Sequence, residues 1–156
     1  MARGLGAVAL VALSAGALAC LAFFPPLCQG NWALVFLVFP DCPACHEVLP
    51  WVEQAASAFW EVNFLVVLPW EFSPLTLEES SSNLYLEVDE AGRLAGAFSI
   101  ARAPTAVFLS SGRLFSRLEW PFSEREFIAQ LEAAGQLGEF TPQPLVGGPA
   151  PTLSLI

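Results

Sequence analysis

Residues 41–46 read Asp-Cys-Pro-Ala-Cys-His and place the chain's one histidine beside two of its four cysteines. Two chemistries fit this spacing. Cys-x-x-Cys-His attaches a c-type haem, whereas Cys-x-x-Cys behind a strand is a dithiol that cycles with its disulfide. Haem iron held by His46 takes methionine or a second histidine as its other axial ligand. Neither is on offer: Met1 is the one methionine, His46 the one histidine, and lysine is absent. Structural zinc needs four ligands, and the other cysteines, Cys20 and Cys28, lie in or beside an apolar N-terminal segment. No haem, metal or other cofactor is expected.

Redox chemistry makes demands that these residues meet. The attacking sulfur works as thiolate, and a helix N-terminus stabilises thiolate through free N–H groups and the positive end of the helix dipole. Cys42 falls at such a place, so it is the expected nucleophile. Cys45, one turn later on the same face, is the expected resolving cysteine, and the pair carries two electrons. His46 or Glu47 is a candidate base for Cys45. Asp41, beside the nucleophile, opposes thiolate formation and offsets part of the helix contribution. The same two sulfurs are also soft ligands, which leaves a non-catalytic maturation factor or copper-binding module as the alternative function.

These residues need a strand in front and a helix behind. Residues 32–39 (WALVFLVF) form an apolar run of strand length, bounded by Gly30-Asn31 and Pro40, and predict a strand buried on both faces. Val48, Leu49, Val52, Ala55, Ala56 and Phe59 recur at helical spacing, so a helix opens at Cys42 or Pro43 and runs to about Trp60. Pro43 suits a first turn; Pro50 should kink the helix. Residues 62–68 (VNFLVVL) predict a second buried strand, reached by a right-handed parallel crossover.

Farther along, residues 75–82 predict a short helix in a polar insertion, 84–88 an extended piece and 94–98 a helical turn. Residues 105–109 and 114–118 predict a hairpin about Ser110-Ser111-Gly112. Ser123 with Glu126 forms a capping box for a last helix, with Phe127, Ile128, Leu131 and Ala134 inward and its end at Gly135. The fold class is α/β, a central mixed sheet flanked by helices. The five tryptophans read as core, except that Trp70, at a strand end, should border the active face.

Fifteen acids against six arginines give a net charge of −9, which repels phosphate backbones, so no nucleic-acid partner is expected. After Arg3 no charge appears until Asp41, and residues 4–24 are uncharged and mostly apolar, ended by Pro25-Pro26. That is an export segment. It is long enough for a membrane anchor, its small residues at 15–17 and 17–19 offer signal cleavage, and Cys20 offers lipidation. Each option puts the rest of the chain outside the cytoplasm, where a disulfide persists. The expected divisions are a signal peptide or anchor over 1–30, one domain over 31–134, and a mobile Pro/Gly-rich tail over 135–156.

The strand segment VFLVF (35–39), then CPAC (42–45), then Pro50, then Ala-Pro-Thr (103–105) leading into a strand resembles the thioredoxin superfamily over about residues 31–134. The resemblance implies a thioredoxin fold with a cis bond before Pro104, which would face Cys42 and Cys45. It also implies that an extended segment of a protein substrate pairs beside Pro104, with Pro43, Ala44, Ala103, Thr105 and Trp70 at hand for binding. The export segment and the polar insertion resemble membrane-anchored TlpA/ResA-like redoxins of the periplasm, whose work includes cytochrome c biogenesis. Phe-Pro-Asp-Cys-Pro-x-Cys followed by Leu-Pro resembles MauD-like proteins. Three positions depart from these patterns. Asp41 replaces the tryptophan before the first cysteine, Phe36 the buried acid of thioredoxin, and Val48 the glutamate of ResA-like proteins. The implied function is an extracytoplasmic thiol-disulfide oxidoreductase acting on protein thiols and disulfides.

Overall fold

The computed structural model describes residues 25–72 and 81–135. Five strands form one sheet in the order β3-β2-β1-β4-β5. β1 (Asn31–Phe36) lies at its centre, parallel to β2 (Val62–Leu68) and antiparallel to β4 (Thr105–Ser110). β3 (Leu84–Val88) runs parallel to β2 at one edge, and β5 (Arg113–Glu119) pairs antiparallel with β4 at the other. The central strands are apolar throughout because both faces are covered. Alternation then sorts them: Ala33, Val35, Phe64, Val66 and Phe108 enter one core, and Leu34, Phe36, Leu65, Val67 and Leu109 enter the other.

α1 (Pro43–Ala58) and α3 (Glu124–Gly135) cover the first face. α1 buries Cys45, Val48, Val52, Ala55 and Ala56, and continues through Pro50. α3 starts on the expected capping box, with Glu126 N–H donating to Ser123 Oγ at 3.1 Å and Ser123 N–H to Glu126 Oε1 at 2.9 Å. The five-residue α2 (Arg93–Ala97) and the 3-10 turn Pro25–Cys28 lie on the second face, where Leu27 is fully buried. The turn is tied to β1 by Trp32, whose indole N–H reaches Pro26 O and Gln29 O. Cys28 is disulfide-bonded. The β4–β5 turn uses positive φ at Ser111 (52°) and Gly112 (80°), the backbone twist a tight hairpin requires.

Two polar side chains knit elements that apolar packing leaves unjoined. Asn83, 8% exposed, donates from Nδ2 to Ala56 O, Phe59 O and Val62 O, closing the end of α1 onto β2 and β3. Arg117 reaches from β5 to the end of α2, donating to Phe98 O at 2.6 Å and Ser99 O at 3.0 Å.

The structure departs from the sequence reading in two places. β1 ends at Phe36 although residues 37–39 are equally apolar, because only Leu37 still donates to the neighbouring strand, at Val67 O. Trp60 is not core: it lies past the C-cap of α1 and is 64% exposed. Most of the helix expected over 75–82, all of the segment 1–24 and the tail from 136 onward lie outside the described residues. Among the described residues, no helix is long and apolar enough to cross a membrane.

Candidate active site

Cys42 is the N-cap of α1, with φ −139° and ψ 93°, and Pro43 takes the first turn, where a missing N–H costs no intrahelical bond. This cap serves where serine or aspartate is usual, since Cys42 Sγ accepts the Cys45 N–H at 3.1 Å. The two cysteines form a disulfide with Cα atoms 5.2 Å apart. Their exposures differ. Cys42 is half-buried and Cys45 fully buried, so the Cys45 sulfur is closed to an incoming thiolate and Cys42 is the cysteine of the pair that keeps exposed surface.

The loop from β1 to α1 is held by bonds that the sequence reading missed. Val38 N–H donates to Cys45 Sγ at 3.3 Å instead of to a strand. Phe39 O accepts the Trp70 indole N–H at 2.9 Å, and Pro40 O lies 2.9 Å from His46 Nε2. A carbonyl oxygen only accepts, so His46 Nε2 carries the hydrogen. The buried Phe39 ring meets the edge of His46 at 4.8 Å and stacks on Phe72 at 5.7 Å. A clue was in the sequence: an apolar run that outlasts its strand must send its last amides elsewhere.

Pairing of β1 with β4 sets Thr105 opposite Phe36, which brings the Ala-Pro-Thr segment to the end of the sheet from which residues 37–45 emerge. The Ala103–Pro104 bond is cis, as are Phe39–Pro40 and Trp120–Pro121. Ala103 packs on the same core cluster as Cys42 and Cys45. Pro104 O accepts the Trp120 N–H at 3.2 Å, and the buried Thr105 hydroxyl donates to Arg102 O at 2.8 Å. Ala103 N–H and C=O make no hydrogen bond among the described residues. On the sheet face away from α1, Val38, Val67, Pro69, Ile100 and Ala103 are among the residues lining a cavity of about 210 Å³.

The fold thus gathers Cys42, Cys45, His46, Ala103, Pro104, Thr105 and Trp70 at one end of the sheet, with Pro43 and Ala44 on the first turn of α1. Asp41, Pro43, His46 and Glu47 are exposed, Ala44 is half-buried, and Trp70 keeps 51% of its surface exposed. Of the three departures noted in the sequence, two fall inside the cores, with Phe36 4% exposed and Val48 fully buried, while Asp41 is exposed. Val48 shares its core with Cys45, whereas Phe36 belongs to the core on the other face of the sheet.

No family model matches the sequence, and no curated protein matches it. Solved structures are similar. DsbF of MTB, in mixed oxidised and reduced forms, superposes with a TM-score of 0.60 at 21% identity, over 71% of this chain and 85% of that one. A secreted Mycobacterium tuberculosis disulfide oxidoreductase homologous to E. coli DsbE gives 0.56 at 21%, over 67% and 83%. The exposed lipoprotein thioredoxin Etrx1 of Streptococcus pneumoniae gives 0.54 at 19%, over 67% and 85%. Identity this low speaks to architecture alone. The described domain has the thioredoxin fold, with a Cys-x-x-Cys disulfide at the first turn of α1 and a cis-proline at the neighbouring strand entry.

Proposed function

We propose that the chain is an extracytoplasmic thiol-disulfide oxidoreductase that exchanges disulfides with protein substrates through Cys42 and Cys45. The observation that carries this reading is the asymmetric disulfide at a helix N-terminus, one cysteine half-buried and the other fully buried. A substrate thiolate attacks Cys42 Sγ; the new sulfur–sulfur bond forms as the Cys42–Cys45 bond breaks, and its electron pair leaves on Cys45 Sγ. A second substrate thiolate then attacks the mixed disulfide, which releases the substrate as a disulfide and Cys42 as thiolate. Two electrons have moved to the protein. Run in reverse, the same steps reduce a substrate disulfide, and the resemblance to TlpA/ResA-like redoxins favours that direction, toward apocytochrome or copper-site thiols.

The N–H and C=O of Ala103, without a hydrogen bond among the described residues, suit an extended substrate strand, a short β-augmentation, and the adjoining apolar cavity suits one of its side chains. Residues 4–24 serve as the membrane anchor or processed export signal, which sets the domain on the periplasmic side. The secreted and the exposed lipoprotein descriptions of two similar structures agree with that placement. The test is a trap. Reduced Cys45→Ser protein, mixed with a disulfide-containing protein, should accumulate a mixed disulfide at Cys42 that survives non-reducing electrophoresis, while Cys42→Ser should form none. Equal trapping by both variants would overturn the reading.

A further inference from the structure

When the disulfide opens, Cys45 Sγ takes up negative charge at a fully buried position. The core that Cys45 shares with Val48 is made of hydrocarbon side chains, and both carboxylates beside the motif, Asp41 and Glu47, are exposed. The hydrogen bond that this sulfur accepts comes from Val38 N–H. A backbone amide is only as well aimed as the segment that carries it. Here that segment has left the sheet: residues 38–40 form no ladder bonds, and their two following carbonyls are held by side chains from separate elements. Trp70, just past β2, donates to Phe39 O, and His46, in the first turn of α1, donates to Pro40 O. His46 and Phe72 also grip the Phe39 ring from two sides.

We infer that Trp70 and His46 are positioning residues: by fixing the carbonyls of Phe39 and Pro40 they aim the Val38 N–H at the Cys45 sulfur as it departs. This rests on the exchange reaction proposed above and assigns what stabilises its leaving group. It turns Trp70 from a substrate contact into a brace for the loop, and His46 from a base into a donor. A preorganised N–H facing developing charge acts as an oxyanion hole does, here toward sulfur.

The test is the second-order rate at which a small thiol, glutathione, opens the Cys42–Cys45 disulfide, since glutathione makes no use of a protein-binding surface. Trp70→Phe keeps the ring and loses the N–H; His46→Ala loses ring and donor; His46→Gln restores an amide donor at similar reach. A misaimed donor should slow opening about three- to tenfold, less than loss of an oxyanion-hole donor costs. Trp70→Phe should be the slower of the two losses because its bond is part-buried while that of His46 is exposed. His46→Gln should return to within about twofold of the parent rate, with thermal unfolding of each variant recorded alongside. Unchanged glutathione rates in Trp70→Phe and His46→Ala would overturn the inference. So would a loss confined to protein substrates, which would make Trp70 a binding surface. If the unaltered protein resists glutathione altogether, the exchange reading itself fails, a result distinct from either.

Discussion

Replacing Arg117 by methionine tests how the segment leading to Ala103 and Pro104 is anchored. The guanidinium donates to Phe98 O at 2.6 Å and Ser99 O at 3.0 Å, across the sheet from its own strand, and Ser99 itself has a positive φ of 53°. A hydrogen bond from a charged donor contributes about 1.5–3 kcal/mol when buried. The Arg117 side chain is 27% exposed and the Ser99 contact is exposed, so the Phe98 bond counts near the bottom of that range and the Ser99 bond for less. The sum is about 2 kcal/mol, or a fall of roughly 10 °C in Tm for a domain of this size. Methionine keeps the apolar stem packed and removes the donors. The ion pair of Arg117 with Glu119, at 3.1 Å with Glu119 47% exposed, should contribute under about 1 kcal/mol. Urea unfolding of the oxidised protein, followed by tryptophan fluorescence, gives the comparison. Arg117→Met should lose about 2 kcal/mol, Arg117→Lys about half of that, and Glu119→Gln under about 0.5 kcal/mol. If Glu119→Gln costs as much as Arg117→Met, the surface pair and not the grip on the α2 end is what matters, and the reasoning is refuted.

Asn83→Ala should destabilise by about 2–3 kcal/mol, because three carbonyls around a nearly buried amide each lose a hydrogen bond, and Phe59 O keeps the Val62 N–H. Asn83→Asp should be worse than alanine at neutral pH in the same unfolding assay, since it turns acceptors toward acceptors. Burial raises the Glu61 carboxyl above its ordinary value, so the fold favours its protonated form. Stability from this group is then present below its unfolded value and is lost as pH rises through the folded one. Glu61→Gln should therefore raise the urea midpoint at neutral pH and leave it unchanged in acid; a variant that loses stability at neutral pH would contradict the assignment.

The buried strands were legible because β1, β2 and β4 are covered on both faces and so must be apolar throughout. The α3 cap was legible because Ser123 and Glu126 satisfy each other's backbone within one turn. Cys42 at the start of α1 followed from Pro43 and the helical recurrence of Val48, Val52 and Ala55. What escaped has a common cause. Val38, Phe39 and Pro40 act through backbone atoms, which a side-chain pattern does not display, and hydrophobicity continues past the point where β1 stops. Asn83 and Arg117 likewise bond to carbonyls 18–27 residues away in sequence, where only the folded chain makes the meeting visible. Trp60 shows the limit of composition, since a large aromatic just beyond a helix end is as free to face water as to pack.

Whether the Cys42–Cys45 bond is a working redox couple or a structural bridge is settled most directly by equilibrating the native protein in glutathione buffers and counting free thiols by alkylation and mass. A redox centre should titrate reversibly as one two-electron couple, with a midpoint between about −270 and −120 mV. A bond that stays closed until below about −300 mV, or that opens only when the protein is unfolded, would mark a structural bridge and contradict the proposed exchange chemistry.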